Sequence, residues 1–166
     1  MTNDLHGKRI LLVDDHAMVR LGFRCLLEGA GAAVAGEAEN GENAVRLYAE
    51  TNPDVVVMDV SMPGIGGLVA LERLLVWDAK AKVLMLSAHN DDIVPVRALR
   101  LGARGYLCKR AAPEEFLRAV GQVASDQRDR EARVDLAFAE EEAVGAGEQF
   151  PVDVAGFVAG LIGAVL

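Results

Sequence analysis

Residues 55–68 read VVVMDVSMPGIGGL. Four apolar residues run unbroken into Asp59, and a turn follows at Met62, Pro63 and Gly64. An apolar run without alternation is the pattern of a strand covered on both faces, and such strands belong to parallel sheets flanked by helices. An acid closing that run is costly unless it has a role. The stretch therefore sets a carboxylate at the carboxyl end of a buried strand, the edge where folds of this kind bind ligands.

Working outward, Ile10–Val13 and Val83–Leu86 have the same character, and weaker runs at Ala32–Ala35 and Tyr106–Cys108 complete five strands. The segments between them have helical spacing: Val19, Phe23 and Leu27; Ala44, Leu47 and Tyr48; Leu68, Leu71, Leu74 and Leu75; Phe116, Val120 and Val123. Asn52-Pro53 stops the second helix, and Gly102 stands where a C-terminal cap is expected after Leu99–Leu101. Pro95 belongs in the first turn of its helix, because further along it would break it. Strand and helix alternate five times, which predicts a doubly wound α/β domain with a five-stranded parallel sheet.

Polar residues follow four of these strands directly: Asp14-Asp15, Asp59, Ser87 and Lys109. A parallel sheet brings all of them to one edge. Three carboxylates so close repel one another. A divalent cation relieves that, and Mg²⁺ favours carboxylates, a carbonyl, water and a phosphate oxygen. A carboxylate held there can attack a phosphoryl group and form an acyl phosphate, with Lys109 neutralising the transferred oxygens and Ser87 hydrogen-bonding one of them.

Plainer roles exist for each residue. Asp14 and Asp15 could cap the helix starting near His16, and Ser87 could cap the next one. Asp59 could be a turn residue, Lys109 a solvated lysine, and Tyr106 a half-buried core aromatic. What outweighs these for the acids is the coincidence of four strand ends. His6, His16 and His89 are not spaced as metal ligands and read as surface residues, although His16 and His89 lie close to the pocket loops. Gly64-Ile65-Gly66-Gly67 lacks the phosphate-loop pattern and reads as a turn into a helix.

The stretches LLVDDHAMVR (11–20), VVVMDVSMPGIGGL (55–68), VLMLSAHND (83–91) and GARGYLCKRAAPEEFLRAV (102–120) together resemble the receiver domain of two-component response regulators. The resemblance covers about residues 7–124 and implies a flavodoxin-like fold with strand order 2-1-3-4-5. It further implies that Asp59 is the phosphoacceptor and that Asp14 and Asp15 are the acidic Mg²⁺ pair, with the Asp59 carboxylate and the backbone carbonyl of Ser61 completing the metal site. Ser87 and Tyr106 resemble the switch pair, and Lys109 the phosphate-contacting lysine. The implied partner is a sensor histidine kinase or phosphotransfer protein, with homodimerisation on phosphorylation. Arg110 follows the lysine where many receivers have proline. Cys108-Lys109-Arg110-Ala111 is similar to the NarL/FixJ-type subfamily, whose output is transcription control through a helix-turn-helix domain. Position 69 is Val where that subfamily often has an acid.

Two other classes fit less well. A haloacid-dehalogenase-type phosphotransferase also forms an aspartyl-phosphate with Mg²⁺, but it wants an acid two residues after the nucleophile, and position 61 is Ser. A nucleotide-binding α/β module would show a glycine-rich strand-to-helix turn. The reading is thus a signalling switch, not an enzyme beyond self-phosphorylation and self-dephosphorylation.

The net charge of −8 is unevenly distributed. Residues 1–124 hold 14 basic and 16 acidic side chains, net −2, which leaves −6 for residues 125–166. That balance offers no electrostatic footprint for nucleic acid or an anionic membrane, so DNA binding is not expected from this chain. Residues 1–124 form the expected receiver domain, and 125–166 an atypical tail: charged over Ser125–Glu142, loop-like at Gly145–Gly147, then Val/Ala/Gly-rich. Val154 to Leu166 would span about 20 Å as a helix, short of the roughly 30 Å membrane core. Two origins of the tail stay open, a frameshift near residue 125 or a genuine tail that folds back or meets a partner. Met1 to Lys8 is polar, so a signal peptide is not expected there. Cys25 and Cys108 form no metal-like pair, so reduced thiols and a cytoplasmic location are expected.

Overall fold

The computed structural model describes residues 4–88 and 93–125. Five strands, β1 (Arg9–Val13), β2 (Ala33–Ala38), β3 (Val55–Asp59), β4 (Val83–Ser87) and β5 (Gly105–Cys108), alternate with five helices. These are α1 (Ala17–Gly29), α2 (Gly41–Thr51), α3 (Gly66–Trp77), α4 (Ile93–Leu101) and α5 (Pro113–Ala124). The strands pair in parallel in the order β2-β1-β3-β4-β5. The expected doubly wound fold is the one observed.

Unbroken apolar runs become strands buried on both faces because successive side chains point to opposite sides of the sheet. Leu11, Val13, Val56, Met58, Val83 and Met85 face a core closed by Ala44 and Tyr48 of α2, Leu71 and Leu74 of α3 and Ala98 of α4. Ile10, Leu12, Val55, Val57, Leu84 and Leu86 face the other, closed by Leu27 of α1 and by Phe116, Val120 and Val123 of α5. Phe23 and Phe116 stack across that second layer with ring centroids 4.5 Å apart. Each fully buried aliphatic contributes about 1.5–3 kcal/mol relative to exposure, and the two layers together hold the sheet's ends in register.

Helix ends follow local chemistry. Asn40 caps α2 by accepting from the Asn43 N–H at 2.8 Å, and Asn52 ends it with φ of 45°. Pro113 opens α5 with Glu114 and Glu115 in its first turn, where negative charge favours the helix dipole. Pro95 stands near the start of α4.

The weak run at Ala32–Ala35 is in fact Ala33–Ala38. β2 is an edge strand, partly exposed along most of its length, so Gly36 and Glu37 are held by backbone pairing to Leu11 and Leu12 and carry no apolar signature. Among the described residues no helix is long and apolar enough to cross a membrane. The expectations about residues 126–166, His89 and the first three residues lie outside the described residues.

Candidate functional site at the carboxyl edge of the sheet

Asp14 leaves β1, Asp59 and Ser87 close β3 and β4, and Lys109 leaves β5. Asp14, Asp59 and Ser87 are the polar or charged residues among the buried ones described, at 3%, 2% and 6% exposure. Asp14 and Asp59 are held in the same way. The His16 N–H donates to Asp14 Oδ1 at 2.8 Å, and the Ser61 N–H donates to Asp59 Oδ1 at 3.1 Å. Their other oxygens converge on one amine: Lys109 Nζ is 2.6 Å from Asp14 Oδ2 and donates to Asp59 Oδ2 at 2.9 Å.

Backbone pairing sets this geometry. Val60 N–H donates to the Leu86 carbonyl at 2.9 Å and Lys109 N–H to the Ser87 carbonyl at 2.8 Å, so the three strand ends advance together. Gly67, in the first turn of α3, packs on the same edge. A Cβ there would overlap the Asp59 carbonyl oxygen and stand 2.8 Å from Val60 Cα. Only glycine lets α3 begin against the acid-bearing turn.

Burial is the largest influence on Asp59 and raises its pKa above the ordinary carboxylate value, although Lys109 and the Ser61 N–H oppose it. Burial alone would lower the Lys109 pKa, but its hydrogen bonds and charge contacts with Asp14 and Asp59 outweigh that and leave it raised. The amine is a fixed cation beside a buried carboxylate.

Donor atoms of Asp14, Asp15, His16 and Asp59 all lie within 4.8 Å of one another. Asp15 Oδ1 is buried and accepts no hydrogen bond among the described residues, although His16 Nδ1 stands 3.1 Å away. An acceptor left in this state suits a cation, and the oxygen-rich donor set is compatible with Mg²⁺.

The structure thus brings Asp14, Asp15, Asp59 and Lys109 together, with Ser87 buried on the adjoining strand end. Ser61 is exposed and meets the cluster through its N–H. Tyr106 is 3% exposed and packs in the core under α4, two residues before the end of β5. Two contacts go beyond the reading of the sequence, which placed His16 near the pocket loops and did not single out Arg20. The side chain of His16 is 65% exposed, as a surface residue should be, yet Nδ1 turns toward Asp14 and Asp15. Arg20, one turn into α1, donates to the Asp14 carbonyl at 2.6 Å. The signal for His16 was its place directly after the acidic pair; Arg20 had none, since an arginine on an amphipathic helix normally reads as solvated.

Residues 10–121 match the family model for the response regulator receiver domain. The chain is similar to the response regulator UvrY of Escherichia coli K12, 47% identical over 120 residues that make up 72% of this chain and 55% of that one. It thus spans about half the length of UvrY and of the GacA regulators it also matches. It is also similar to the chemotaxis protein CheY of Thermotoga maritima, 36% identical over 71% of this chain and 98% of that one. Among solved structures, a two-component response regulator of the LuxR family from Aurantimonas sp. SI85-9A1 superimposes with a TM-score of 0.70 at 37% identity, covering 82% of this chain and 99% of that one.

Proposed function

We propose, from the premise that this chain belongs to the response regulator receiver domain family, that it is a phosphorylation-controlled signalling switch whose acceptor is Asp59. The observation that carries the reading is the Lys109 amine held between Asp14 and Asp59 over a buried carboxylate. Residues 1–124 form the switch, of NarL/FixJ type.

The phosphodonor is a sensor histidine kinase or a phosphotransfer protein. An oxygen of the Asp59 carboxylate forms the new bond to phosphorus, the bond from phosphorus to the donor imidazole nitrogen breaks, and that nitrogen keeps the electron pair. Lys109 is already in place for the charge on the transferred group, so little reorganisation is needed as it arrives. Asp14 and Asp15, with the Ser61 carbonyl, hold Mg²⁺, which supplies neutralisation of the phosphoryl oxygens when bound. The Ser87 hydroxyl then donates to a phosphoryl oxygen, and Tyr106 adjusts beneath α4. The surface formed by α4, β5 and α5 changes its partner preference, including for a second copy, as a two-state population shift.

The output is transcription control, as the resemblance of Cys108-Lys109-Arg110-Ala111 to the NarL/FixJ-type subfamily implies, although DNA binding is not expected from this acidic chain. Ser61 supplies no carboxylic acid for hydrolysis of the dehalogenase type.

Incubating the full chain with Mg²⁺ and acetyl phosphate tests the assignment by intact mass. One base-labile, acid-stable phosphoryl group is expected, and none on Asp59→Ala. Equal labelling of the variant would sink the reading.

A further inference from the structure

His16 is neither acidic nor on a strand, and the switch described above makes no use of it. Its ring sits at the mouth of the pocket, with Nδ1 3.2 Å from Asp14 Oδ1 and 3.1 Å from Asp15 Oδ1. We propose that His16 is a nitrogen ligand that makes this pocket a site for borderline transition-metal cations such as Co²⁺, Ni²⁺ and Zn²⁺, held with Asp14 and Asp15 in competition with Mg²⁺. The inference rests on the reading of Asp14 and Asp15 as metal-binding residues and adds which metals the pocket takes.

Three observations support it. Neighbouring ligands on an octahedral ion with bonds of about 2.1 Å stand about 3.0 Å apart, and the two nitrogen-to-oxygen separations match that edge. His16 Nδ1 is within hydrogen-bond reach of Asp14 Oδ1, while Asp15 Oδ1, 3.1 Å from the same nitrogen, is buried and accepts no hydrogen bond among the described residues, so one nitrogen faces two carboxylate oxygens and a single proton can serve only one of them. Four donor atoms of mixed type, three carboxylate oxygens and an imidazole nitrogen, fall within 4.8 Å of one another.

The donor set decides the class of ion. Mg²⁺ is hard and dehydrates reluctantly, so an imidazole adds little to its binding. Imidazole suits Zn²⁺ and Ni²⁺, and divalent affinity at nitrogen and oxygen sites rises from Mn²⁺ toward Cu²⁺. His16 therefore tilts an oxygen site toward later metals. The ring is placed for this without folding cost, because His16 opens α1 and its N–H is already fixed on Asp14 Oδ1 at 2.8 Å.

The test is calorimetric titration of the full chain with Mg²⁺ and with Ni²⁺, run in parallel on His16→Ala and Asp15→Ala, with Co²⁺ absorption as a second readout. The Ni²⁺-to-Mg²⁺ affinity ratio is expected to fall by about tenfold or more in His16→Ala, and the Co²⁺ visible spectrum to change. An unchanged ratio would overturn the proposal, since His16 would then give no preference between the two ions. Equal losses for both ions would also overturn it, by making His16 a structural support. Asp15→Ala separates the two levels: loss of both metals there with no effect of His16→Ala removes this inference alone, whereas unchanged Mg²⁺ affinity in Asp15→Ala removes the underlying metal reading as well.

Discussion

The guanidinium of Arg20 donates to the backbone carbonyl of Asp14 at 2.6 Å, from a side chain only 13% exposed. The same group reaches Glu37 at 3.3 Å and Glu39 at 3.8 Å, and Arg24 joins Glu37 at 2.8 Å. One turn of α1 thereby fastens the acid-bearing segment after β1 to the end of β2. A buried charge-assisted hydrogen bond of this kind is worth about 1.5–3 kcal/mol.

Arg20→Ala is expected to free the Asp14-Asp15 segment and to weaken Mg²⁺ binding several-fold, with slower labelling of Asp59 by acetyl phosphate. Arg20→Lys should recover only part of this, because the carbonyl and Glu37 are met by two different guanidinium nitrogens, Nη1 and Nε, and lysine brings one nitrogen on a shorter reach. Calorimetry at constant ionic strength reads the effect. Full recovery by lysine would show that charge alone matters.

Asp59→Asn is expected to stabilise the metal-free protein. The folded pKa of Asp59 lies above its unfolded value, chiefly through burial. Such a group contributes stability in full below the unfolded pKa, and the contribution is lost as pH rises through the folded pKa. Near pH 7 the ionised acid is therefore a net cost, and asparagine removes it while Lys109 keeps Asp14 as partner at 2.6 Å. A gain in stability at pH 7, shrinking as pH falls toward the ordinary carboxylate range, is the expected pattern in urea unfolding. A variant less stable than the parent at pH 7 would contradict it.

Gly67→Ala should damage both fold and site. The added methyl meets the Asp59–Val60 peptide, at the Asp59 carbonyl and at Val60 Cα, and backbone cannot swing away as a side chain would. A loss of about 2 kcal/mol or more is expected, together with slower labelling of Asp59. Gly22→Ala is the control: its Cβ meets nothing within 4 Å, and the helix gains up to about 1 kcal/mol. Thermal unfolding of the two variants should move in opposite directions.

Much of this molecule was legible before any coordinates. Unbroken apolar runs identified β1, β3 and β4, since burial on both faces leaves a purely local mark. The ends of those runs supplied Asp14, Asp15, Asp59 and Ser87, and the weaker run of β5 supplied Lys109, because strand ends of one polarity must share an edge in a parallel sheet. The extent of β2 was not legible, as an edge strand holding Gly36 and Glu37 is maintained by pairing and not by burial.

What the sequence by itself determined is the alternation of elements and the identity of the polar residues at their ends, both of which follow from burial and backbone preference over a few residues. Only the tertiary structure decided which of those residues touch. β5 lies three places from β1 in the sheet, yet Lys109 reaches past Asp59 to Asp14, a contact that depends on strand order and on the length of one side chain. The inward turn of the His16 ring and the grip of Arg20 on the Asp14 carbonyl likewise arise from the angle at which α1 leaves the sheet. Such contacts join residues through space after the chain has crossed over, and no local pattern of hydrophobicity encodes them.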